Sequence, residues 1–594
     1  MPQSVAFYVS QVFGNSDLLA QNGGRQAKNG SRERGIRRPL ILAVTALALL
    51  ACFAAYVRLS WTYPTNSDGA SIALQAWQML HGNPLLRGWN LADVPFYTTE
   101  LPQYMLVELA HGLNASVVHI AAAMTYTLTI LLAALLARKR AAGLAAVLAA
   151  GIAAGIMLAP QVPGVVVLLS SPDHIGTSVP IMLSWLILDR AWPGWPAAVV
   201  VPLLLGWATV ADMLVVYVAV VPLVLVVAFR AGQAVVRDRS ARGAGAAQGG
   251  RGFGSALAAL AGQRQELALA AGAVVAAIAA RLVLRLIAAL GGFTTVPPQA
   301  TVAGLGHIVH HNVPVVARGL LLLFGADFVD YPANGFLVLH LAGVALAAGG
   351  VALTAWRFLR DRDLVAQLLL AGIVVNLAIF LASTGVSALP TTREVAVVLP
   401  FSAALAGRQL GPRLAALARA AGRPRAVAAG LVAALGLAGA GYAAGLVREI
   451  APAVPPTAEQ RLASWLEARH LDDGLSGYWA SNVVTLTSGD RVRIRLAEIS
   501  HGLSGRFGGG GPAVGVLIPG IRETDAAWYD PADNTASFFV LYPGTVFPAF
   551  TDKAAVIATF GEPSRTYHVA GYTILVWPHA NLLTELGRPG QPGS

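Results

Sequence analysis

The sequence predicts an α-helical polytopic membrane protein of about eleven transmembrane helices, followed by a carboxyl-terminal α/β domain. Of its 594 residues, 56% are hydrophobic and 12% are charged, and that charged fraction is about half the fraction in an average soluble domain. Apolar runs of about 20 residues, the length that crosses a bilayer as a helix, recur along most of the chain. After residue 456 these runs give way to short apolar segments separated by Gly, Pro and Asp turns.

The amino-terminal segment, residues 1–38, is polar and lacks apolar periodicity, which predicts a disordered cytoplasmic tail. Its basic residues precede the first apolar run and favour retention of this end in the cytoplasm. That run, at about 39–59, ends without a small-residue cleavage site, so we expect a retained anchor. It contains the single cysteine, Cys52, which excludes a disulfide framework.

Residues 39–450 form the predicted transmembrane domain. Its apolar segments lie at about 39–59, 115–137, 141–159, 174–188, 195–211, 213–229 and 266–290, and four more end near residues 357, 383, 408 and 447. For residues 195–230, one long helix with a re-entrant piece is an open alternative to two short spans.

The loops between these segments alternate in charge. Every second loop is rich in arginine, and most of the formal net charge of +11 lies in these loops. This alternation predicts a cytoplasmic amino terminus and an extracytoplasmic carboxyl-terminal domain, and it is a topology signal instead of a nucleic-acid footprint. Because the excess of Ala, Gly and Arg is typical of a GC-rich bacterial genome, we expect the bacterial plasma (inner) membrane.

The carboxyl-terminal domain, residues 457–594, is predicted to be a small α/β unit. A helix is predicted at 457–470, because Thr457 and Gln460 have the spacing of a capping box. Strand-like runs follow at 478–485, 492–496, 537–541, 554–560 and 572–577.

The stretch Thr-Asn-Ser-Asp-Gly-Ala, residues 65–70, follows the first apolar segment by only a few residues. It predicts the start of a helix at 70–81, with Asn66 or Ser67 as the amino-terminal cap and Gly82 at its end. The apolar residues of this helix, among them Ile72 and Ala76, lie on one face, as expected for a helix on a bilayer surface.

Asp68 therefore lies at a predicted helix start, at the membrane surface, facing away from the cytoplasm. An acidic residue is favoured there simply because it interacts well with the helix dipole. Charged residues beside a membrane are also candidates for function. Our hypothesis is that Asp68 is a catalytic base.

Three further acidic positions are candidates on the same side. Glu100 lies in an aromatic-rich loop, and the alternative to a functional role is that it is a solvated loop residue. Asp173 and His174 begin the fourth apolar segment, where capping alone would favour a carboxylate. Asp212 interrupts an apolar stretch, and a simple polar break is the alternative.

Three arginines are candidates for binding a phosphate. Arg281 and Arg285 lie four residues apart on one face of the seventh apolar segment. A pair of guanidinium groups can bind a phosphate or pyrophosphate, and snorkelling to the lipid headgroups is the alternative. Arg393 lies in a later loop on the same side.

No cofactor is indicated with certainty. His307 and His311 share a helical face, and with His310 they leave a divalent metal as an open alternative. The sequence contains no Walker loop, zinc-protease motif or nucleotide-sugar motif, so a cytosolic nucleotide-sugar site is not expected.

Three stretches resemble the GT-C superfamily of polyprenyl-phosphate-sugar-dependent glycosyltransferases, of the protein mannosyltransferase and aminoarabinose transferase type. Residues 67–82 resemble its acidic motif, amphipathic helix and glycine turn, and residues 99–104 resemble its proline-containing stretch. Residues 171–174 resemble its acidic residue at the head of a later span. The family motif often has two adjacent acids, whereas Gly69 follows Asp68 here. The resemblance covers roughly residues 40–410.

The resemblance implies an inverting transfer of a sugar from a polyprenyl-phosphate donor to an extracytoplasmic glycan, lipid or protein. The enzyme would be a hexosyl- or pentosyltransferase of the cell envelope. Asp68, Glu100 and Asp173 would be catalytic, Arg281, Arg285 and Arg393 would hold the donor phosphate, and His174 and Asp212 would line the cavity. Membrane lipids are expected partners, and nucleic acid is not.

Two other function classes stay open. A transporter or flippase would have polar residues along midplane helices and broken helices in paired halves, and the sequence has few midplane charges and no internal repeat. An envelope assembly protein would use the carboxyl-terminal domain as a binding module.

Overall fold

The computed structural model describes residues 27–171, 173–191, 194–243, 261–296, 300–329, 335–360, 362–499, 517–542 and 553–586. The helices up to residue 450 are α1 (Ala27–Ser60), α2 (Ser67–Leu80), α3 (Glu100–His111), α4 (Ser116–Arg138), α5 (Gly143–Met157), α6 (Val162–Leu168), α7 (Asp173–Ala191), α8 (Trp195–Ala211), α9 (Val221–Gly243), α10 (Arg264–Ala289), α11 (Val313–Leu323), α12 (Gly335–Arg357), α13 (Leu364–Leu381), α14 (Val398–Ala420) and α15 (Pro424–Ile450). The carboxyl-terminal helices are α16 (Ala458–Glu467), α17 (Tyr478–Ser488) and α18 (Lys553–Phe560).

Within these described ranges, eleven helices coincide with the eleven predicted apolar segments. Seven of them are long and apolar enough to cross a membrane, in α1, α4, α9, α10, α12, α13 and α15. Helices α5 and α8 are apolar but shorter, and α7 and α14 are more polar and pack among the others. The prediction of a multi-pass helical membrane protein is confirmed.

The start of the first helix differs from the prediction, and the structure decides between the two alternatives for residues 195–230. Helix α1 begins at Ala27, inside the segment predicted to be disordered, because extending an existing helix costs little; residues 1–26 lie outside the described part. Helix α8 ends at Ala211, and a π-helical turn, Val216–Val220, leads into α9. The region therefore contains two helices broken at Asp212.

The bundle packs tightly around α14, where small residues let helix backbones approach. A Cβ atom on Gly407 would lie 2.2 Å from the carbonyl oxygen of Ala149 in α5. The next residue, the buried Arg408, donates hydrogen bonds to Asp189 at 2.6 Å and to Asp363 at 2.7 Å. These ion pairs join α7, α13 and α14 at the end of the bundle where α4 finishes.

Helix α2 begins where the cap residues predict. The Asn66 side chain accepts a hydrogen bond from the Gly69 amide at 2.8 Å, and Gly82 follows the helix with a φ of +103°, which favours glycine. The expected bilayer contact is wrong for the inner part of the helix. Ile72 and Ala76 are buried among residues of α3, α4 and α17, so this face packs against protein.

The carboxyl-terminal domain contains a six-stranded sheet in the order β5–β4–β3–β7–β9–β8. Its strands are β3 (Asp473–Ser476), β4 (Arg493–Ile499), β5 (Leu517–Pro519), β7 (Phe538–Leu541), β8 (Arg565–Val569) and β9 (Tyr572–Val576). Strand β3 is parallel to β4 and β7, and the other pairs are antiparallel. Thr457 and Gln460 form the predicted capping box at the start of α16.

Two predicted strands of this domain are helices. Residues 478–485 belong to α17, because a parallel connection from β3 to β4 needs a crossover, which is usually a helix. Residues 554–560 belong to α18. Both segments are short and apolar, so periodicity alone does not separate a buried strand from a buried helix.

A second, three-stranded sheet joins the domain to the bundle. Strand β1 (Trp89–Leu91) lies between β2 (Thr294–Thr295), which follows α10, and β6 (Thr524–Asp525) of the domain. The Trp89 and Trp528 rings meet edge to face at 5.0 Å beside it. This sheet holds the domain above the amino-terminal end of α2.

Candidate active site

Asp68 and Arg393 form an ion pair at this junction. Asp68 lies in the first turn of α2, and Arg393 extends from the 3-10 turn Leu389–Val395 that precedes α14. Arg393 Nη1 donates to Asp68 Oδ2 at 2.5 Å, although 325 positions separate the two residues. The Asp68 side chain is 17% exposed and the Arg393 side chain is 35% exposed, so solvent reaches the pair from one side.

The other oxygen of Asp68 is held by the carboxyl-terminal domain. Tyr478, the first residue of α17, donates its hydroxyl hydrogen to Asp68 Oδ1, and that hydroxyl lies 2.7 Å from Glu523 Oε2. Neither residue was predicted from the sequence to belong to the site. Tyr478 fell within a predicted strand, and a tyrosine and a glutamate 45 positions apart give no local signal.

These partners determine the charge of Asp68. Burial alone would raise the pKa of this carboxyl, but the Arg393 guanidinium, the Tyr478 hydroxyl and the charge of His174 outweigh burial and hold the pKa below its ordinary value of 3.8. Asp68 is therefore ionised at neutral pH. A carboxylate of low pKa is a weak base, which suits a reaction in which proton transfer is late.

A second group of side chains surrounds His174 on α7. His174 Nδ1 lies 2.9 Å from Asp212 Oδ2 and Nε2 lies 3.0 Å from Glu394 Oε1. Asp212 also accepts hydrogen bonds from the Thr177 hydroxyl at 2.6 Å and the Leu214 amide at 2.8 Å, the pattern of an ionised carboxylate, which only accepts. With a carboxylate on each side, both ring nitrogens of His174 donate, so the imidazole is positively charged.

Glu394 connects the two groups because it is the residue next to Arg393. Burial raises the pKa of Glu394. The charges of His174 and Arg393 lower it by a larger amount, so that the pKa lies below its ordinary value of 4.5. Its carboxylate is 37% exposed. Arg393 was predicted from the sequence to be a site residue, whereas Glu394 was not.

Glu100 begins α3 and is buried against α7. Its Oε2 accepts the Thr99 hydroxyl, whereas Oε1 has no hydrogen-bond partner among the described residues. A Cβ atom on Gly176 would lie 2.0 Å from Oε1, which places this carboxyl within one turn of His174. Burial raises its pKa to about 8, so Glu100 is protonated at neutral pH.

The remaining predicted site residues either make no ion pair with these groups or have side chains outside the described residues. Asp173 begins α7, but its side chain lies outside the described residues. Arg281 and Arg285 are exposed on α10 and form no ion pair with any residue that the structure describes.

Arg281 borders an apolar cavity of about 420 Å³ between α9, the π-helical turn before it, and α10. The other lining side chains include Met213, Val220, Val224 and Ile278. Arg281 is the lining residue closest to the carboxyl-terminal end of α10, so the cavity is hydrocarbon-like with a cation at one end.

The described side chains of this site do not form a metal site. Both oxygens of Asp68 and both ring nitrogens of His174 are engaged by side chains. In the described ranges, no three His, Cys, Asp or Glu side chains are grouped to hold a metal ion. His311 Nε2 lies 3.0 Å from the Val386 carbonyl oxygen, and its ring stacks on that of His307.

No protein-family model matches the chain, and no curated protein matches it by sequence. Solved structures do match. ArnT from Cupriavidus metallidurans in the apo state is 16% identical with a TM-score of 0.52, over 93% of this chain and 99% of that chain. The same protein bound to undecaprenyl phosphate aligns at 13% identity and a TM-score of 0.49, over 92% and 99% of the two chains.

The oligosaccharyltransferase of Archaeoglobus fulgidus in the apo form is 14% identical with a TM-score of 0.42. That match covers 75% of this chain and 63% of the oligosaccharyltransferase, so this chain spans less than two thirds of that enzyme. At such identities the comparison with ArnT is informative about the fold alone. This chain has the GT-C-type fold of ArnT, with a helical membrane bundle followed by a carboxyl-terminal β-sheet domain.

Proposed function

We propose that this protein is an integral-membrane glycosyltransferase that moves a sugar from a polyprenyl-phosphate donor to a hydroxyl of an extracytoplasmic glycan, lipid or protein. The supporting observation is the ion pair of Asp68 and Arg393 at one end of a GT-C-type bundle. This pair places a carboxylate that can accept a proton beside a guanidinium that can hold a phosphate.

In the proposed reaction the acceptor oxygen attacks the anomeric carbon of the sugar while its proton passes to Asp68. The bond from the anomeric carbon to the phosphate oxygen breaks, and the leaving polyprenyl phosphate keeps the electron pair. Arg393 stabilises that developing charge, since a guanidinium has five N–H donors and can contact a carboxylate and a phosphate together. A single displacement of this kind inverts the anomeric carbon.

The apolar cavity between α9 and α10 is the proposed seat of the donor's lipid tail. Its lining is aliphatic, and Arg281, one helical turn before Arg285, would meet the phosphate at its end. Undecaprenyl phosphate, the molecule bound in the second ArnT structure, is the donor lipid that we propose for this chain.

The group around His174 supports the same chemistry. His174 bridges Asp212 and Glu394. Because Glu394 belongs to the 3-10 turn that presents Arg393, this bridge holds the turn in place. Glu100 is protonated, so we propose that it donates a hydrogen bond within the site and does not accept a proton. Asp173, at the start of α7, is proposed as a third catalytic carboxyl.

The test of the catalytic assignment is Asp68→Asn in the full-length protein in nanodiscs. Donor binding and single-turnover release of undecaprenyl phosphate would be measured with undecaprenyl-phosphate-linked hexoses and pentoses and a membrane extract as acceptor. Because the base acts in the transition state, we expect turnover to fall about 10²- to 10⁴-fold with donor binding almost unchanged. The matched control is Asp327→Asn, which removes a buried aspartate paired with Arg318 elsewhere. Normal turnover of Asp68→Asn would refute the assignment.

The same assay tests the phosphate-binding arginines. Charge-assisted hydrogen bonds are worth about 1.5–3 kcal/mol, so Arg281→Ala or Arg285→Ala should weaken donor binding roughly tenfold or more. Lysine should restore binding only in part, because it lacks the planar fork. Arg461→Ala, on the carboxyl-terminal domain, is the control. If both variants bind donor like the wild type, these arginines are headgroup anchors and Arg393 alone would be tested next.

A further inference from the structure

We propose that the carboxyl-terminal domain completes the active site, with Tyr478 as a positioning residue for Asp68 and Glu523 as the residue that holds the Tyr478 hydroxyl. This inference rests on the proposed catalytic function of Asp68. It assigns the domain a direct part in the reaction in addition to any contact with the acceptor.

Tyr478 is attached to the start of α2 at two points. Its hydroxyl contacts Asp68 Oδ1, and its carbonyl oxygen accepts a hydrogen bond from the Ser67 hydroxyl at 2.5 Å. Because Arg393 holds Oδ2, the carboxylate is fixed at both oxygens. Neither partner alone would prevent the carboxylate from rotating.

Glu523 is itself held at the domain boundary. Its backbone has a φ of +52°, a conformation that costs energy for a residue with a side chain. The Asn482 side chain donates to its carbonyl oxygen at 3.2 Å. The next two residues form β6, which pairs with β1 of the bundle. Docking of the domain and placement of the Tyr478 hydroxyl are therefore one structural event.

The hydroxyl has a single hydrogen, yet it lies between two carboxyl groups. A phenol donates one hydrogen bond and accepts others, so Asp68, Tyr478 and Glu523 form a coupled unit that titrates together. The charged groups that face Asp68 are Arg393 from the 3-10 turn and His174 from α7. Each lowers the pKa of Asp68, as does the Tyr478 hydroxyl.

The experiment compares Tyr478→Phe with Tyr572→Phe in the full-length protein in nanodiscs. Tyr572 donates to the Glu459 carboxylate at 2.7 Å within the same domain, so Tyr572→Phe also removes a phenol-to-carboxylate contact and keeps the ring. Infrared difference spectra across pH, with Asp68→Asn to identify the band, would report the protonation of Asp68. Single-turnover release of undecaprenyl phosphate from undecaprenyl-phosphate hexoses and pentoses is the second readout.

We expect Tyr478→Phe to raise the titration midpoint of Asp68 by about one pH unit and to slow turnover roughly tenfold with donor binding unchanged. The acidic limb of the pH–rate profile should move up equally, because the base must be ionised. Glu523→Ala should reproduce part of both effects, and Glu523→Gln should restore them, since an amide still contacts the hydroxyl. Tyr572→Phe should change neither quantity.

If the Asp68 midpoint in Tyr478→Phe equals that in Tyr572→Phe, the positioning inference is wrong even when Asp68→Asn is inactive. If Asp68→Asn turns over normally, the proposed catalytic function fails, and the inference fails with it because no catalytic carboxylate is left to position. The infrared measurement separates these results, since it follows Asp68 without using turnover.

Discussion

Asp68 and Glu100 are two carboxyl groups of one site that differ in protonation at neutral pH: Asp68 is ionised and Glu100 is neutral. Arg393 and Tyr478 keep Asp68 ionised in spite of its burial. Among the described residues, the Thr99 hydroxyl donates to Glu100 Oε2 and Oε1 has no hydrogen-bond partner, so burial dominates and raises the pKa of Glu100 to about 8. A pair of carboxyls whose pKa values are driven apart in this way is typical of acid–base sites.

The raised pKa of Glu100 predicts a pH-dependent cost to stability. Between the ordinary pKa of 4.5 and about 8, the folded protein keeps a proton that the unfolded chain releases. Stability therefore falls as pH rises through this window and levels off above it. Glu100→Gln removes the titration, so its thermal midpoint relative to wild type should rise from pH 5 to pH 8.

Thermal unfolding of the detergent-solubilised protein at several pH values measures this difference. Glu562→Gln, at an exposed position, is the control and should parallel the wild type. A constant offset between Glu100→Gln and wild type across the window would show that Glu100 is ionised in the folded protein.

Individual site residues could be selected from the sequence more readily than their partners. Asp68, His174, Asp212 and Arg393 stand out because a charge beside an apolar segment is costly. Their pairing depends on chain packing over 325 positions for Asp68 and Arg393 and 38 for His174 and Asp212. Tyr478 does not stand out at all, because an aromatic residue in an apolar run is ordinary.

At the scale of elements, α14 depends on the absence of side chains where it crosses α5. A Cβ atom on Gly407 would lie 2.2 Å from the Ala149 carbonyl oxygen and 2.7 Å from the Ala137 Cβ atom. Gly407→Ala must push these helices apart, and overpacking of this kind typically costs about 1–3 kcal/mol. We expect a lower thermal midpoint in detergent.

Gly430→Ala in α15 is the matched control. A Cβ atom there would meet no heavy atom within 4 Å, and replacing glycine by alanine within a helix stabilises by about 0.5–1 kcal/mol. The two substitutions should therefore shift the midpoint in opposite directions. Equal shifts would mean that α14 and α5 are not in close contact.

The helices of the bundle could be predicted from the length and hydropathy of the apolar segments. The helices and strands of the carboxyl-terminal domain could be predicted only in part. The capping box of α16 is a local signal and was found. Helix α17 is an apolar run of 11 residues whose type is decided by its neighbours, since β3 and β4 are parallel and a hairpin cannot join them.

The whole molecule has two chemically different ends. At one end, the basic groups that finish α4 approach the Asp189–Arg408–Asp363 ion pairs, and Lys139 contacts Asp363 at 3.0 Å. At the other end lie Asp68, the β1–β2–β6 sheet and the carboxyl-terminal domain. The basic residues that follow α4 and the candidate active site therefore lie at opposite ends of the bundle.

This separation predicts the orientation of the protein. Arginine-rich loops are retained in the cytoplasm, so the carboxyl-terminal domain and the Asp68 site should be extracytoplasmic. An alkaline phosphatase reporter fused after Ser594 should be active, because this enzyme folds only outside the cytoplasm. A fluorescent protein fused at the same position should be dark, because it would be exported in an unfolded form. The same reporters inserted within residues 244–260 should give the reverse result. An inactive phosphatase after Ser594, together with an active one at 244–260, would place Asp68 in the cytoplasm and exclude an extracytoplasmic acceptor.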